Sequence, residues 1–239
     1  MAVIIGSARS TEYGTSGWDG KAKAGDQTGK EVSTQNWYKH AKGWVVLRPK
    51  DPEVAEKIAW DMQAACNNEL IGYDQSERDT LYNAAKKVGF NCAEVKTKVE
   101  TDCSALVRVC CCFAGVMVGN IRTANETEEL MKTGAFEKLT ASKYTTKSDY
   151  LRRGDILNTK TSGHTVVVLT DGALAYKYFK KPAIKTVSIV DALNSIGENW
   201  TFEYRKKIAA ANNITNYKGT AVQNGQMLAK LYLGTLIKP

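Results

Sequence analysis

Histidine, proline and long apolar runs are scarce in this sequence, and each scarcity closes a door. Only His40 and His164 are present, so a reaction that needs an imidazole has two candidates, and a zinc site would have to lean on cysteine. The six cysteines (Cys66, Cys92, Cys103, Cys110, Cys111, Cys112) form no CxxC pair, and three in a row make poor geometry for a framework of bridges. Free thiols in a reducing compartment are expected, with no metal and no cofactor. No eighteen consecutive apolar residues occur, which excludes a helix long enough to span a bilayer. Met1–Ile5 has neither the basic start nor the apolar core of a secretory signal, so a cytoplasmic protein without its own export label is expected. With 43% hydrophobic and 24% charged residues and only 4 prolines, disorder and low complexity are excluded as well.

What is present suits one large domain, or a medium domain with a small one. The net charge of +8 is unevenly placed: from residue 181 onward eight Lys/Arg stand against three Asp/Glu. A basic end wants an anionic partner, and nucleic acid, an acidic membrane face or an anionic cell wall all qualify by charge.

Residues 1–50 mix glycine turns with Trp18, Trp37, Tyr38 and Trp44, a composition that rims a groove more readily than it builds a long helix. Within them Thr28 to Glu31 has capping-box spacing and predicts a short helix through Trp37 and His40. Asp51-Pro52-Glu53 starts a helix that carries Val54, Ile58, Met62 and Ala65 and ends near Asn67. Further helices are predicted over 76–88 and 123–131, closed by Gly89 and Gly134. The period then changes to two at 155–157, 164–169 and 173–179, with Asp171-Gly172 as a hairpin turn. That pairing puts Phe179 opposite His164 and leaves Asp171 roughly 20 Å from the imidazole. Beyond Lys180, three short helices over 188–195, 202–211 and 221–232 form a small module. Helices first and an antiparallel meander afterwards make an α+β fold.

The chemistry centres on 101–110. Asp102 or Thr101 caps a helix that runs to about Ala114, and Cys103 falls in its first turn, where the macrodipole and free N–H groups favour a thiolate. His164 follows Ser162-Gly163 and opens the β-branched run Thr165-Val166-Val167-Val168. A nucleophile at a helix start and a base at a strand start form a papain-like layout. Asp102 and Asp155 are read as cap and turn residues, His40 is a rival base among aromatics, and the site is read as a Cys103/His164 dyad, with a backbone carbonyl, Tyr176 or Tyr178 considered for a third group.

Three motifs carry a family resemblance: Asp102-Cys103-Ser104-Ala105-Leu106-Val107, Gly154-Asp155-Ile156 and Gly163-His164-Thr165-Val166-Val167. In this order the sequence resembles the NlpC-type, papain-like peptidoglycan amidohydrolases, within them the phage and prophage endolysins. The stretch Ala24 to Glu31 also resembles the N-terminal signature of such lysins. The resemblance covers residues 1–180 and implies a Cys103 thiolate nucleophile, a His164 base and a thioester intermediate in cleavage of an amide bond of peptidoglycan. It also implies Gln27 and, beside it, Asp26 at the substrate. The expected organisation is a hydrolase domain over 1–180, a linker over 181–187 and a helical wall-binding module over 188–239, faintly similar to the wall-binding repeats of some phage lysozymes. The expected partner is the anionic Gram-positive wall, with no nucleic acid and no membrane insertion, and the expected location is the host cytoplasm until a holin releases the protein to the wall. A cytoplasmic thiol protease or acyltransferase of the same fold, and a non-catalytic basic binding protein with Cys103 in its core, are the alternatives.

Overall fold

A computed structural model describes residues 2–9, 31–175 and 177–239. Contacts divide the chain into two units, Met1–Ala175 and Tyr176–Pro239. The first unit is mixed α+β. Its strands are β1 (Ile4–Ala8), β2 (Val32–Asn36), β3 (Trp44–Pro49), β4 (Ile71–Tyr73), β5 (Val99–Thr101), β6 (Phe136–Leu139), β7 (Ile156–Thr159) and β8 (Thr165–Val168). Its helices are α1 (Pro52–Asn67), α2 (Thr80–Lys86), α3 (Cys103–Phe113), α4 (Glu126–Lys132) and α5 (Ser142–Thr145).

Six strands form one sheet in the order β2-β1-β8-β7-β3-β6, and every neighbouring pair is antiparallel. One face carries the larger core, where Leu47, Ile156, Val167 and Leu169 meet Ile58 and Met62 of α1 and Leu106, Val107 and Cys110 of α3. Alternate residues of the same strands, Ile5, Trp44, Val46, Leu157, Val166 and Val168, build a second cluster on the other face, as the two-residue period of a strand requires. With both faces covered, β3 is buried from end to end. β4 and β5 pair in parallel, and β5 runs directly into the start of α3.

Local signals explain the helices. Asp51 accepts the Glu53 N–H and Pro52 occupies the first helical position of α1. α3 begins where Asp102 accepts the Ala105 N–H. The 76–88 and 123–131 predictions contract to α2 and α4, each followed by a glycine with positive φ, Gly89 and Gly134.

Three expectations are corrected. The helix through Trp37 and His40 is absent: Val32–Asn36 is a strand, because its alternating burial lets it pair residue for residue with β1. Helices do not precede the sheet, since β1, β2 and β3 supply half of its strands before residue 50. Asp171-Gly172 is not a hairpin tip, and Phe179 donates its N–H to the Leu236 carbonyl instead of pairing with β8. Gly172 donates its N–H to the Leu151 carbonyl, and a Cβ there would lie 2.2 Å from the Ser148 oxygen, so the glycine serves a close backbone approach. The partners of β8 are β1 and β7 instead.

In the second unit β9 (Lys177–Tyr178) pairs with β10 (Ile237–Lys238). Its helices are α6 (Ile189–Ser195), α7 (Phe202–Ala211) and α8 (Ala221–Leu233), the last opened by a Thr220/Gln223 capping box and closed by left-handed Gly234. Phe179, Leu193, Ile208, Met227 and Leu231 share its core. The division therefore falls five residues before the boundary read from the sequence at 180. The 181–187 stretch is tied to α8 as well, since Tyr232 donates to the Thr186 carbonyl at 2.8 Å.

The Gly154-Asp155 motif proves to be a staple. Arg48 of β3 meets the Asp155 carboxylate through two bonds of 2.8 and 2.7 Å, both side chains being shielded from solvent. Gly154, at φ +91, leaves no room for a side chain: a Cβ would fall 2.3 Å from the Ala55 oxygen. Removing one member of a buried pair strands the other charge. Asp155→Ala is therefore expected to cost about 3–5 kcal/mol of stability in urea unfolding, and a loss below about 1 kcal/mol contradicts that role.

Candidate active site

Cys103 is the first residue of α3, and its position is set by Asp102. That carboxylate accepts from Ala105 N–H at 2.7 Å and from the Ser104 hydroxyl at 2.9 Å. Its other side is taken by Arg78, with Nε 2.5 Å from Oδ2 and Nη2 3.2 Å from Oδ1. Arg78 also donates to Ser104, to Asn120 and to the Ile121 carbonyl. Asp102 is thus committed to the cap and to Arg78, and Asp155 to Arg48. Neither is available to act on a substrate.

The backbone N–H groups of Ser104 and Thr165 are near enough to the Cys103 sulfur to favour its thiolate. Thr165 is the first residue of β8, so the nucleophile candidate lies against the residue that follows His164. His164 is fixed by its own backbone, which donates to Thr159 Oγ1 at 3.1 Å and accepts the Thr159 N–H at 3.0 Å. Its Nε2 lies 3.4 Å from the hydroxyl of Ser7 on β1, a side chain only 1% exposed.

Sequence reasoning missed Ser7, Arg78 and the fully buried Glu126. A lone serine in a short strand carries no signal, and Arg78 declares itself only when the Ile121 carbonyl and Asp102 are seen around it. Gln27 and Asp26 lie outside the described residues, as do Ala24 to Lys30 and Tyr176. Tyr178 belongs to β9 and pairs with Ile237.

His40 sits among Tyr38 and Trp44, with ring centroids 5.9 and 5.1 Å away, and its Nδ1 accepts the Lys42 N–H. Lys42 in turn donates to the Ser162 carbonyl. The aromatic loop therefore borders the loop that leads into His164, and a charge on His40 opposes a charge on the His164 imidazole. Among the described residues no group of three or more His, Cys, Asp or Glu could hold a metal ion.

Electrostatics correct one expectation. A first-turn thiol should ionise readily, but burial pushes the Cys103 thiol up to about 12, and the Asp102 and Glu126 carboxylates push the same way against the two N–H donors. Cys103 is only 8% exposed, so lost hydration outweighs the helix end. Burial, with His40 and Arg9 adding to it, pushes His164 down to about 4. At rest both groups are neutral, the Cys103 sulfur as a thiol and His164 as an imidazole.

A depressed folded-state imidazole means that the unfolded chain binds the proton first as pH falls. The stability held by neutral His164 is whole above 6.5 and is lost as pH drops towards about 4. Proton NMR of the two imidazoles should show one midpoint near 4, and the assigned His164 signal titrating at 6.5 overturns the buried state described for it.

Comparison with known families places this geometry. The endolysin-like domain family matches residues 5–175, and the match ends where contacts divide the chain. No curated protein and no solved structure matches. An endolysin-like domain is a cell-wall hydrolase, and its substrate is peptidoglycan. With most of its 239 residues covered by that match, from Ile5 on the second strand of the sheet to Ala175, the chain belongs to the endolysin-like domain family.

Proposed function

We propose that the first unit is a papain-like Cys/His amidohydrolase of the NlpC type, which cuts an amide bond in the peptide part of peptidoglycan as a phage or prophage endolysin. The observation that supports this reading is that the backbone N–H of Thr165, the first residue of the strand that follows His164, is close enough to the Cys103 sulfur to favour its thiolate. A base at that position, neutral at working pH, suits the removal of a thiol proton.

In this reading Ser7 holds Nε2 and leaves the Nδ1 lone pair to act. Cys103 Sγ attacks the amide carbon as its proton passes to His164, forming the S–C bond. The backbone N–H at the start of α3 receives the developing oxyanion. His164 then hands the proton to the amide nitrogen, the C–N bond breaks, and water hydrolyses the thioester with His164 again as base. Thiolate forms during the reaction rather than before it.

The second unit acts as a tether to the anionic wall in the same proposal. It carries the basic excess, and Trp200 and Phe202 are exposed beside Arg205, whose guanidinium is bound to Tyr217 and Asn224. Attachment to an insoluble substrate raises its effective concentration at the hydrolase. The protein waits in the host cytoplasm until a holin opens the membrane.

Mass spectrometry of fragments released from purified Gram-positive peptidoglycan tests the reading and identifies the bond cut. The parent is expected to release defined fragments, and Cys103→Ala and His164→Ala to fall to background. Ser7→Ala should lower kcat roughly 10- to 100-fold through a misdirected imidazole. Lysis by Cys103→Ala as fast as the parent overturns the assignment of the nucleophile.

A further inference from the structure

Glu126 opens α4, where an acidic residue ordinarily stays in solvent and complements the helix end. Here it is turned inward and has no exposed surface. Its Oε1 accepts the Thr165 hydroxyl at 2.6 Å, while Oε2 is buried with no partner. Thr165 is also the residue whose backbone N–H favours the Cys103 thiolate. One residue therefore stands between Glu126 and the nucleophile of the proposed reaction.

The surroundings contain no cation for this carboxyl among the described residues. From α3 it meets Asp102, already paired with Arg78, and the thiols of Cys103 and Cys111, both of which feel its charge. From the sheet it meets neutral groups: Thr165, and across the ladder from it Asn158, whose amide donates to the Thr123 carbonyl and Thr127 hydroxyl. The closest titratable neighbour of Thr165 along β8 is His164, itself neutral. A carboxylate buried without a counter-charge is costly, and protonation is the remedy. Burial accordingly pushes Glu126 up to about 8.

We propose that Glu126 is a positioning residue that works as a neutral carboxylic acid, its unpartnered oxygen carrying the proton, and that its ionisation disables the site by placing a negative charge beside the sulfur that must become a thiolate. The reaction uses no proton from Glu126: the carboxyl orders Thr165, and through Thr165 the sulfur, and when it ionises its proton leaves to solvent. This inference rests on Cys103 as nucleophile, but the coupling can be read on the thiol itself.

Glu126→Gln keeps the shape and cannot ionise. Infrared spectroscopy of the full chain at pH 7 should show a protonated-carboxyl band that is lost in Glu126→Gln and that fades in the parent as pH passes about 8. Alkylation of Cys103 by iodoacetamide, followed by mass spectrometry, should match between the two chains at pH 6.5. At pH 9 it should be about tenfold slower in the parent, as a shift of one pKa unit requires. Thr165→Val, which removes the hydrogen bond that favours the ionised carboxyl, should move the parent's break to higher pH, and it serves as the test if Glu126→Gln does not fold. Absence of the band, superimposed alkylation profiles, or a Cys103 that no pH makes reactive in either chain overturns the proposal. Wall lysis that survives Cys103→Ala overturns the catalytic reading instead, while band and alkylation still report on the coupling.

Discussion

A solvent-shielded ion pair between Arg78 and Asp102 sets where α3 begins, and the beginning of α3 sets where the Cys103 sulfur lies. Asp102 caps the helix by accepting from Ala105, and its second oxygen faces the Arg78 Nε. Caps alone are worth about 1 kcal/mol, too little to hold a helix start to one residue against alternatives. A buried charge pair is different in kind: its desolvation is tolerable only while both partners and their remaining hydrogen bonds are in place. Arg78 meets that condition by spending its other donors on Ser104, Asn120 and Ile121. The first turn of α3 has one arrangement that satisfies all of these groups.

The other half of the site is located by the sheet. β8 is held on both edges, by β1 and by β7, so His164 at its start inherits a fixed place. β1 comes from the first residues of the domain and brings Ser7 to the imidazole. The Arg48–Asp155 pair ties β3 to the turn before β7 in the same region of the sheet. Residues far apart in the chain thus become neighbours through backbone ladders, which have one register when both faces of the sheet are buried.

Enclosure of the site shapes its chemistry. Removing water raises the cost of every charge, so the thiol and the imidazole rest in their neutral forms, and an acidic side chain with no cation near it takes up a proton. Charge appears only as the reaction creates it, next to N–H groups already in place. Fixed dipoles are worth most in such dry surroundings, because they need no reorganisation when the charge develops.

By itself the sequence determined the elements whose signals are local. Asp51-Pro52 placed α1, Asp102 placed α3 and its first-turn cysteine, and the Thr220 to Gln223 box with Gly234 bounded α8 to within a residue. The motifs around Cys103 and His164 also pointed to the endolysin-like family. The sequence misled where a local pattern had two outlets: Val32–Asn36 passed for part of a helix until β1 offered it a ladder, and Asp171-Gly172 passed for a hairpin although its glycine answers a backbone 24 residues earlier at Ser148. Only the tertiary structure decided that Ser7 faces His164, that Arg78 holds Asp102 and that Glu126 turns inward to accept from Thr165. It also decided the direction of the Cys103 and His164 ionisations, because hydration is lost only when distant segments close over a group, and no spacing along the chain records which segments those are.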